Sequence, residues 1–221
     1  MKIALNSFDD ITVPSEDLAK IVLNWKLRKP IRVINNGVEC IELIDSAKRY
    51  DVISLARLVS WKRIDKLIEA CAIAELSLVI AGDGPEKENL QNLAKRRNCN
   101  ATFLGQIDRE SAKSLINQSK IFALISTYEG MSFSLLEAMM LGKRILISDA
   151  PGNLEAITDG LEGKVIKDYS VNSIASALIE LNSDTSEILE LTINARTRAK
   201  SDFCEENQIE KMCKLIMKEY D

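Results

Sequence analysis

The 221-residue sequence contains no histidine, no D-x-D motif and no cysteine pair spaced as C-x-x-C. Histidine and closely spaced cysteines are the usual ligands of zinc, and neighbouring carboxylates are those of magnesium and calcium. We therefore expect the protein to work without a bound metal or other cofactor.

The five cysteines are odd in number and scattered along the chain, at positions 40, 71, 99, 204 and 213. Scattered cysteines without a metal-ligand spacing are typical of buried free thiols in a reducing compartment, which is what we expect here. The sequence also lacks an apolar run near the ~20 residues that a membrane span requires. We expect a cytoplasmic protein, and contact with the inner face of a membrane stays open.

Positive charge is not in excess either, since 29 lysines and arginines stand against 33 acidic residues, for a formal net charge of −4. Proteins that bind nucleic acid usually carry a basic surplus, so we expect no nucleic-acid partner. Hydrophobic residues form 46% of the chain, which is enough for a full core.

What the sequence does contain is an alternation of short apolar runs with segments of helical period. The runs are continuous in apolarity, which is typical of strands covered on both faces of a parallel sheet. The pattern predicts an α/β fold, a Rossmann-like doubly wound parallel sheet with right-handed crossovers. The predicted strands are 31–34, 51–56, 76–81, 101–104, 121–125, 144–148 and 164–166.

Helices are predicted between these strands. An apolar stripe at helical spacing predicts a helix over 61–75. Pro85 is expected to start another helix, because proline suits the first helical position. Asp108 is expected to cap a helix over 109–119.

No strand is predicted after residue 170, and the last three predicted helices are 171–182, 185–200 and 204–220. We expect residues 1–30 to lead into the domain, residues 31–170 to form its Rossmann-like part, and residues 171–221 to form C-terminal helices.

Two basic residues follow the strand predicted over 51–56. Ligands of an open α/β sheet bind beyond the carboxyl ends of its strands. Arg57 and Lys62 lie there within one loop, and both side chains suit the oxygens of a diphosphate. The alternative is two solvated charges at the entrance to a helix, and the spacing alone leaves both open.

The strand predicted over 121–125 leads into the segment STYEGMSFSLLEAMMLGK. Its glycine-containing turn before a helix start predicts an anion site, because free backbone N–H groups and the helix dipole favour negative charge there. Glu129 and Glu137 flank this turn, and a carboxylate beside an anion is expected to bind hydroxyl groups, such as those of a sugar. From spacing alone, a capping box with Ser134 is the favoured explanation of Glu137.

A glycine pair after the strand over 76–81 is a weak match to a dinucleotide fingerprint. Gly82 and Gly84 are present, but Lys87 replaces the third glycine and Pro85 intrudes. The segment therefore indicates a tight turn and not an NAD site.

Taken in order, these segments resemble the carboxy-terminal, donor-binding domain of the retaining GT-B glycosyltransferases of family 4, the glycosyl transferases group 1. The resemblance runs from about Ile11 to Gly163, and its clearest segments are LARLVSWKRIDKLIEA, VIAGDGPEKENL and STYEGMSFSLLEAMMLGK. The arginine-to-lysine spacing and the E-x7-E spacing both match the family. The resemblance implies one half of a GT-B architecture, in which two Rossmann-like domains face each other across a cleft.

The resemblance also implies a role for each matching position. Arg57 and Lys62 would hold the diphosphate of a UDP or GDP sugar, and Glu129 would contact the sugar near its reacting face; these three are the implied catalytic residues. Glu137 would bind the ribose hydroxyls, and the backbone near Ile107 would meet the nucleobase. The backbone of Met131, Ser132 and Phe133 at the helix start would bind the distal phosphate, and Gly130 and Ser134 are further implied substrate-binding residues.

The implied reaction is a metal-independent transfer of a hexose, with retention, to a glycan or lipid-linked acceptor. The family's amino-terminal domain supplies acceptor contacts, and we expect it here as a missing partner. Arg63 stands where the family usually has glycine, and we expect it to be tolerated at a helix start. The alternative function is a non-catalytic, glycosyltransferase-like interaction subunit.

Overall fold

The structure, a computed structural model, describes residues 8–27, 29–41 and 47–217. Its strands are β1 (Ile11–Val13), β2 (Ile31–Val33), β3 (Tyr50–Leu55), β4 (Leu78–Ala81), β5 (Ala101–Gly105), β6 (Ser119–Leu124), β7 (Arg144–Ser148) and β8 (Lys164–Ile166). Its α-helices are α1 (Glu16–Leu23), α2 (Ile64–Ala74), α3 (Lys87–Arg96), α4 (Arg109–Asn117), α5 (Phe133–Met140), α6 (Pro151–Leu154), α7 (Val171–Asn182), α8 (Ser186–Asp202) and α9 (Glu205–Met217).

The central sheet has six strands in the order β5-β4-β3-β6-β7-β8, and every neighbouring pair is parallel. One apolar core lies between the sheet and α2, α3 and α7, and a second lies on the other face, beneath α4, α5 and the end of α8. Because both faces are covered, the strands in the middle of the sheet are buried along most of their length. The predicted α/β fold, a doubly wound parallel sheet followed by C-terminal helices, is confirmed.

The first strands form a small sheet of their own. β1 and β2 pair in parallel, with α1 as their crossover, and are not hydrogen-bonded to the six-stranded sheet. The expectation that 31–34 belongs to the main sheet is therefore wrong. An apolar run predicts a strand but not its partner, and here Val13, Ala19 and Val22 bury their side chains in a separate cluster.

Two helix starts can be compared with their predictions. Asp108 caps α4 as predicted, because its Oδ1 accepts from the backbone N–H of Ser111 at 2.8 Å. Pro85 does not start α3, which begins at Lys87. The backbone N–H of Lys87 donates to the carbonyl of Gly84 at 3.1 Å, so a turn separates the proline from the helix.

The helix predicted over 61–75 is divided at Arg63. A 3₁₀ turn, Ser60–Lys62, precedes α2, and Arg63 between them has φ 49° and ψ 35°, in the left-handed region. A side chain there brings Cβ close to the following carbonyl oxygen, at a cost of about 1–2 kcal/mol. Arg63 is the N-cap residue of α2, at a helix start as expected, but its backbone has the conformation that favours glycine.

The prediction of free thiols fails for one pair of cysteines. Cys40 and Cys204, which are 164 positions apart in sequence, form a disulfide with their Cα atoms 5.7 Å apart. The backbone N–H of Val38 donates to the carbonyl of Phe203 at 2.9 Å, and this contact brings the two distant segments together. Linear spacing carries no sign of it. The free cysteines are Cys71, Cys99 and Cys213, of which only Cys71 is fully buried.

No helix in the described parts of the chain combines the length and apolarity needed to cross a membrane.

The left-handed backbone at Arg63 generates a stability prediction. We expect Arg63→Gly to raise the free energy of unfolding by about 1 kcal/mol, because glycine adopts this conformation without a Cβ clash. Arg63→Ala is the matched control, since it removes the same long side chain but keeps Cβ. Urea denaturation of both variants measures the effect, and an equal gain from alanine would contradict the backbone explanation.

Candidate functional site

The predicted site residues meet where the strand order reverses. The chain runs outward from β3 through β4 and β5, then returns to place β6 on the other side of β3. The carboxyl ends of β3 and β6 therefore lie side by side, and in open α/β sheets ligands bind at such a switch point. Arg57 and Lys62 follow β3, and Glu129 follows β6.

A short chain of hydrogen bonds joins the two loops. Nζ of Lys62 donates to Oε1 of Glu129 at 2.5 Å, and Oγ of Ser126 donates to the same oxygen at 2.5 Å. Both members of the ion pair are largely buried, with 17% of the Lys62 side chain and 10% of the Glu129 side chain exposed. The backbone N–H of Thr127 donates to the carbonyl of Trp61 at 2.8 Å. These contacts fix the lysine loop to the glutamate loop.

The backbone carbonyl of Ser126 is in turn contacted by two residues that the sequence analysis missed. This carbonyl accepts from Oγ of Ser148 at 2.5 Å, and the hydroxyl of Tyr169 lies 3.4 Å from the same carbonyl oxygen. Ser126 and Ser148 are fully buried. Serines at the ends of neighbouring strands were the available signal, since the carboxyl ends of parallel strands meet at one edge.

Glu137 has a different partner from the one its spacing suggested. Oε1 of Glu137 accepts from Nε of Arg109 at 2.9 Å. This hydrogen bond raises the pKa of the Arg109 guanidinium above its usual value. Ser132, not Ser134, is the cap residue of α5, so the capping box is wrong: its serine lies inside the helix. Arg109 was also missed, although the correctly predicted cap at Asp108 placed it at this edge.

Each glutamate keeps one oxygen available. Oε1 of Glu129 is held by Lys62 and Ser126, and Oε1 of Glu137 by Arg109. Within the described parts of the chain, neither Oε2 makes a hydrogen bond, and neither is among the sealed, unpartnered polar atoms. Each carboxylate is thus fixed by a cation through one oxygen and can accept a hydrogen bond through the other.

An open cavity of about 610 Å³ lies beside these groups. Arg57 comes from the β3 loop, Ile107 from the β5 loop, and Glu137 from α5. Arg57 is exposed and has no ion-pair partner among the described residues. The other predicted site residues on the cavity wall are Ser132, Phe133 and Ser134.

The helix start presents its backbone to this cavity. No side chain caps the amino terminus of α5, and the hydroxyls of Ser132 and Ser134 lie 3.0 Å from each other. The first N–H groups of a helix have no partner within the helix, and with the dipole they favour an anion.

The remaining predicted residues lie away from the cavity wall. The Met131 side chain is in the core, so only its backbone is available for binding. Gly130 is packed against Gly152, where an added Cβ would come within 1.3 Å of the Gly130 carbonyl oxygen. Lys62 and Glu129, which form an ion pair with each other, do not line this cavity either.

Among the residues that the structure describes, one group outside this site has the composition of a metal site. Ligand atoms of Cys40, Cys204 and Glu206 lie within 4.8 Å of one another. The two sulfur atoms are joined as a disulfide, and a disulfide offers no thiolate to a metal ion.

Comparison with known proteins places the chain in a family. Residues 43–199 match the model of the family described as glycosyl transferases group 1. An uncharacterised glycosyltransferase of Methanocaldococcus jannaschii is 29% identical over 201 residues, which are 81% of this chain and 51% of that protein. The chain spans about half the length of this relative.

Two solved structures share the fold. Staphylococcus aureus TarM, as a mutant bound to fondaparinux, α-GlcNAc-glycerol and UDP, superposes with a TM-score of 0.84 at 23% identity, covering 95% of this chain and 44% of that one. Anabaena Alr3699/HepE with UDP and glucose superposes with a TM-score of 0.85 at 20% identity, covering 96% of this chain and 64% of that one. The family model covers more than half of the sequence, and the chain belongs to the glycosyl transferases group 1 family.

Proposed function

We propose that this chain is the donor-binding half of a retaining, metal-independent hexosyltransferase. It binds a nucleoside-diphosphate sugar of the UDP or GDP type, and an amino-terminal Rossmann-like domain completes it with the acceptor site for a glycan or lipid-linked substrate. The single observation that carries the proposal is the convergence of Arg57, Lys62 and the start of α5 on one edge of the sheet. They lie between two glutamate carboxylates, each of which has one oxygen bound to a cation and one oxygen available.

The positive groups are suited to a diphosphate. The Arg57 guanidinium is exposed on the cavity wall, and its planar fork matches two phosphate oxygens. The start of α5 adds backbone donors, in the first turn at Phe133 and Ser134, without adding a charged side chain. Lys62 stands at Glu129, where it can donate to the distal phosphate with its remaining hydrogens.

Catalysis then consists of stabilising the departing nucleoside diphosphate. Negative charge grows on the phosphate oxygen as the bond to the sugar breaks, and fixed cations and dipoles lower the barrier without reorganising. Arg57, Lys62 and the α5 start would carry out this role with the chain's own groups. Retention is the family expectation, and acceptor attack would follow on the face that the diphosphate leaves.

The two glutamates would accept hydrogen bonds from hydroxyl groups at opposite ends of the donor. Glu137 lies on the cavity wall with Ile107, where its Oε2 would accept from the ribose and the backbone near Ile107 would meet the base. Glu129 lies beside Lys62, where its Oε2 would accept from the sugar. Their negative charge does not repel the diphosphate strongly, because Arg109 and Lys62 neutralise them.

Nucleotide binding tests the role of Arg57. We expect the chain to bind UDP or GDP in isothermal titration calorimetry with EDTA present, and Arg57→Ala to weaken that binding by about 1.5–3 kcal/mol, the value of a hydrogen bond to a charged group. Arg96→Ala, at an exposed position at the end of α3, is the control and should bind like the wild type. Absence of binding to either nucleotide by folded protein would contradict the proposal.

A second experiment separates the two glutamates. We expect Glu137→Gln to weaken UDP and the matching UDP-hexose by the same factor, because both contain ribose. Glu129→Gln should weaken the UDP-hexose more than UDP, by roughly 1 kcal/mol for one lost hydrogen bond. Affinities of both ligands for both variants provide the measurement. If the ratio of the UDP-hexose affinity to the UDP affinity changes equally in both variants, the assignment of Glu137 to the ribose and Glu129 to the sugar is wrong.

A further inference from the structure

A second cavity, of about 450 Å³, lies at the opposite end of the sheet from the donor edge. Its wall contains Lys48 before β3, Lys120 in β6, and Lys143 and Arg144 at the start of β7. α4 and α5 both end here, whereas both begin at the donor edge. Four cations from three strand starts thus surround one space that the proposed function does not use.

Two of the four cations are paired with carboxylates. Nζ of Lys120 lies 2.9 Å from Oδ1 of Asp51, and Arg144 pairs with Asp184. Lys48 and Lys143 make no ion pair with the described residues. Among the residues that the structure describes, the ammonium groups of Lys48 and Lys143 therefore have no matching carboxylate.

Those two lysines converge on a single oxygen atom. The carbonyl of Asn117 accepts from Nζ of Lys143 at 2.9 Å and from Nζ of Lys48 at 2.9 Å. Asn117 is the last residue of α4, and the negative end of the helix dipole favours a cation there. That accounts for one ammonium group at this oxygen. The second ammonium is repelled by the first.

Lys143 is also withdrawn from water. Only 4% of the residue is exposed, and burial together with the neighbouring Lys48 lowers the pKa of Lys143 to about 7. A buried charge is costly unless a counter-charge and hydrogen bonds compensate it. An anion in the cavity would supply both, because its oxygens accept from the lysine hydrogens that Asn117 does not take.

We propose that this cavity is a second anion site that binds a phosphate group through Lys48 and Lys143, with Lys120 at its rim. A phosphate group carries close to two negative charges near neutral pH, and its binding would favour the charged form of Lys143, so that it would compensate both ammonium groups. The cavity has roughly fifteen times the volume share of a liquid water molecule, so the remainder of a phosphate-bearing molecule has room beside the phosphate. The proposal does not rest on the proposed function, since no donor-site residue lines this cavity.

Site-resolved NMR tests the proposal. The whole chain is titrated with inorganic phosphate in a chloride buffer of constant ionic strength, and the backbone amides of Gly142 and Thr192, both on the cavity wall, are followed. We expect saturable shifts of both amides, with a dissociation constant about tenfold larger in Lys48→Ala, which loses one charge-assisted contact. Lys48 is exposed, so its replacement leaves the core intact.

Two further variants locate the response. Lys95→Ala removes an exposed lysine from α3, and Arg57→Ala disables the donor edge; both should keep the wild-type phosphate response at Gly142 and Thr192.

Vesicles of phosphatidylcholine with phosphatidic acid test a lipid headgroup as the source of the phosphate. Vesicle binding that Lys48→Ala abolishes would support the same site with a lipid ligand.

Unshifted amides at Gly142 and Thr192 would overturn the proposal, and so would shifts that Lys48→Ala leaves unchanged. Failure of UDP to bind would not affect this result, so the experiment tests the phosphate site independently of the proposed donor site.

Discussion

The parallel pairing of β3 with β6 is the constraint on which the candidate site depends. These strands are far apart in sequence, and Val52 lies beside Ile121 and Ile53 beside Phe122 in the paired register. Strands β4 and β5, with their helices, are built on the other side of β3 before the chain returns. Because the two strands end at the same edge, the arginine–lysine loop and the glutamate–glycine turn have to meet. A slip in this register would separate Lys62 from Glu129.

The electrostatic arrangement at that edge would suit the proposed sugar-nucleotide donor. A sugar nucleotide presents both a charged diphosphate, which needs cations, and neutral hydroxyls, which need acceptors. Two carboxylates beside an anion would ordinarily oppose its binding. In this chain each carboxylate gives one oxygen to a basic side chain, Lys62 or Arg109, and so its charge is balanced while its second oxygen remains an acceptor. Arg57, the uncapped start of α5 and the remaining hydrogens of Lys62 are left for the anion.

Sequence patterns predicted the main sheet well, because continuous apolar runs report burial on both faces. They placed Arg57 and Glu129 at the edge of the candidate site for the same reason, since both residues follow recognisable strands. They did not predict partners. The run at 31–34 joins another sheet, Glu137 binds Arg109 and not its own helix cap, and Cys40 meets Cys204 through a contact across 164 positions. Each of these contacts depends on which segments come together in the folded chain, and the periodicity of the sequence gives no information about that.

The sequence patterns also did not predict the backbone conformation of Arg63 or the burial of Lys143. Arg63 lies in a left-handed conformation although it is not glycine, and Lys143 is buried although nothing in its neighbourhood along the chain distinguishes it from a surface lysine. The most direct test of the central claim is a crystal structure of the chain with UDP. The account predicts the β-phosphate within hydrogen-bond distance of the Arg57 guanidinium, the Lys62 ammonium and a backbone N–H in the first turn of α5. A diphosphate bound elsewhere, with Arg57 turned away from the helix start, would contradict it.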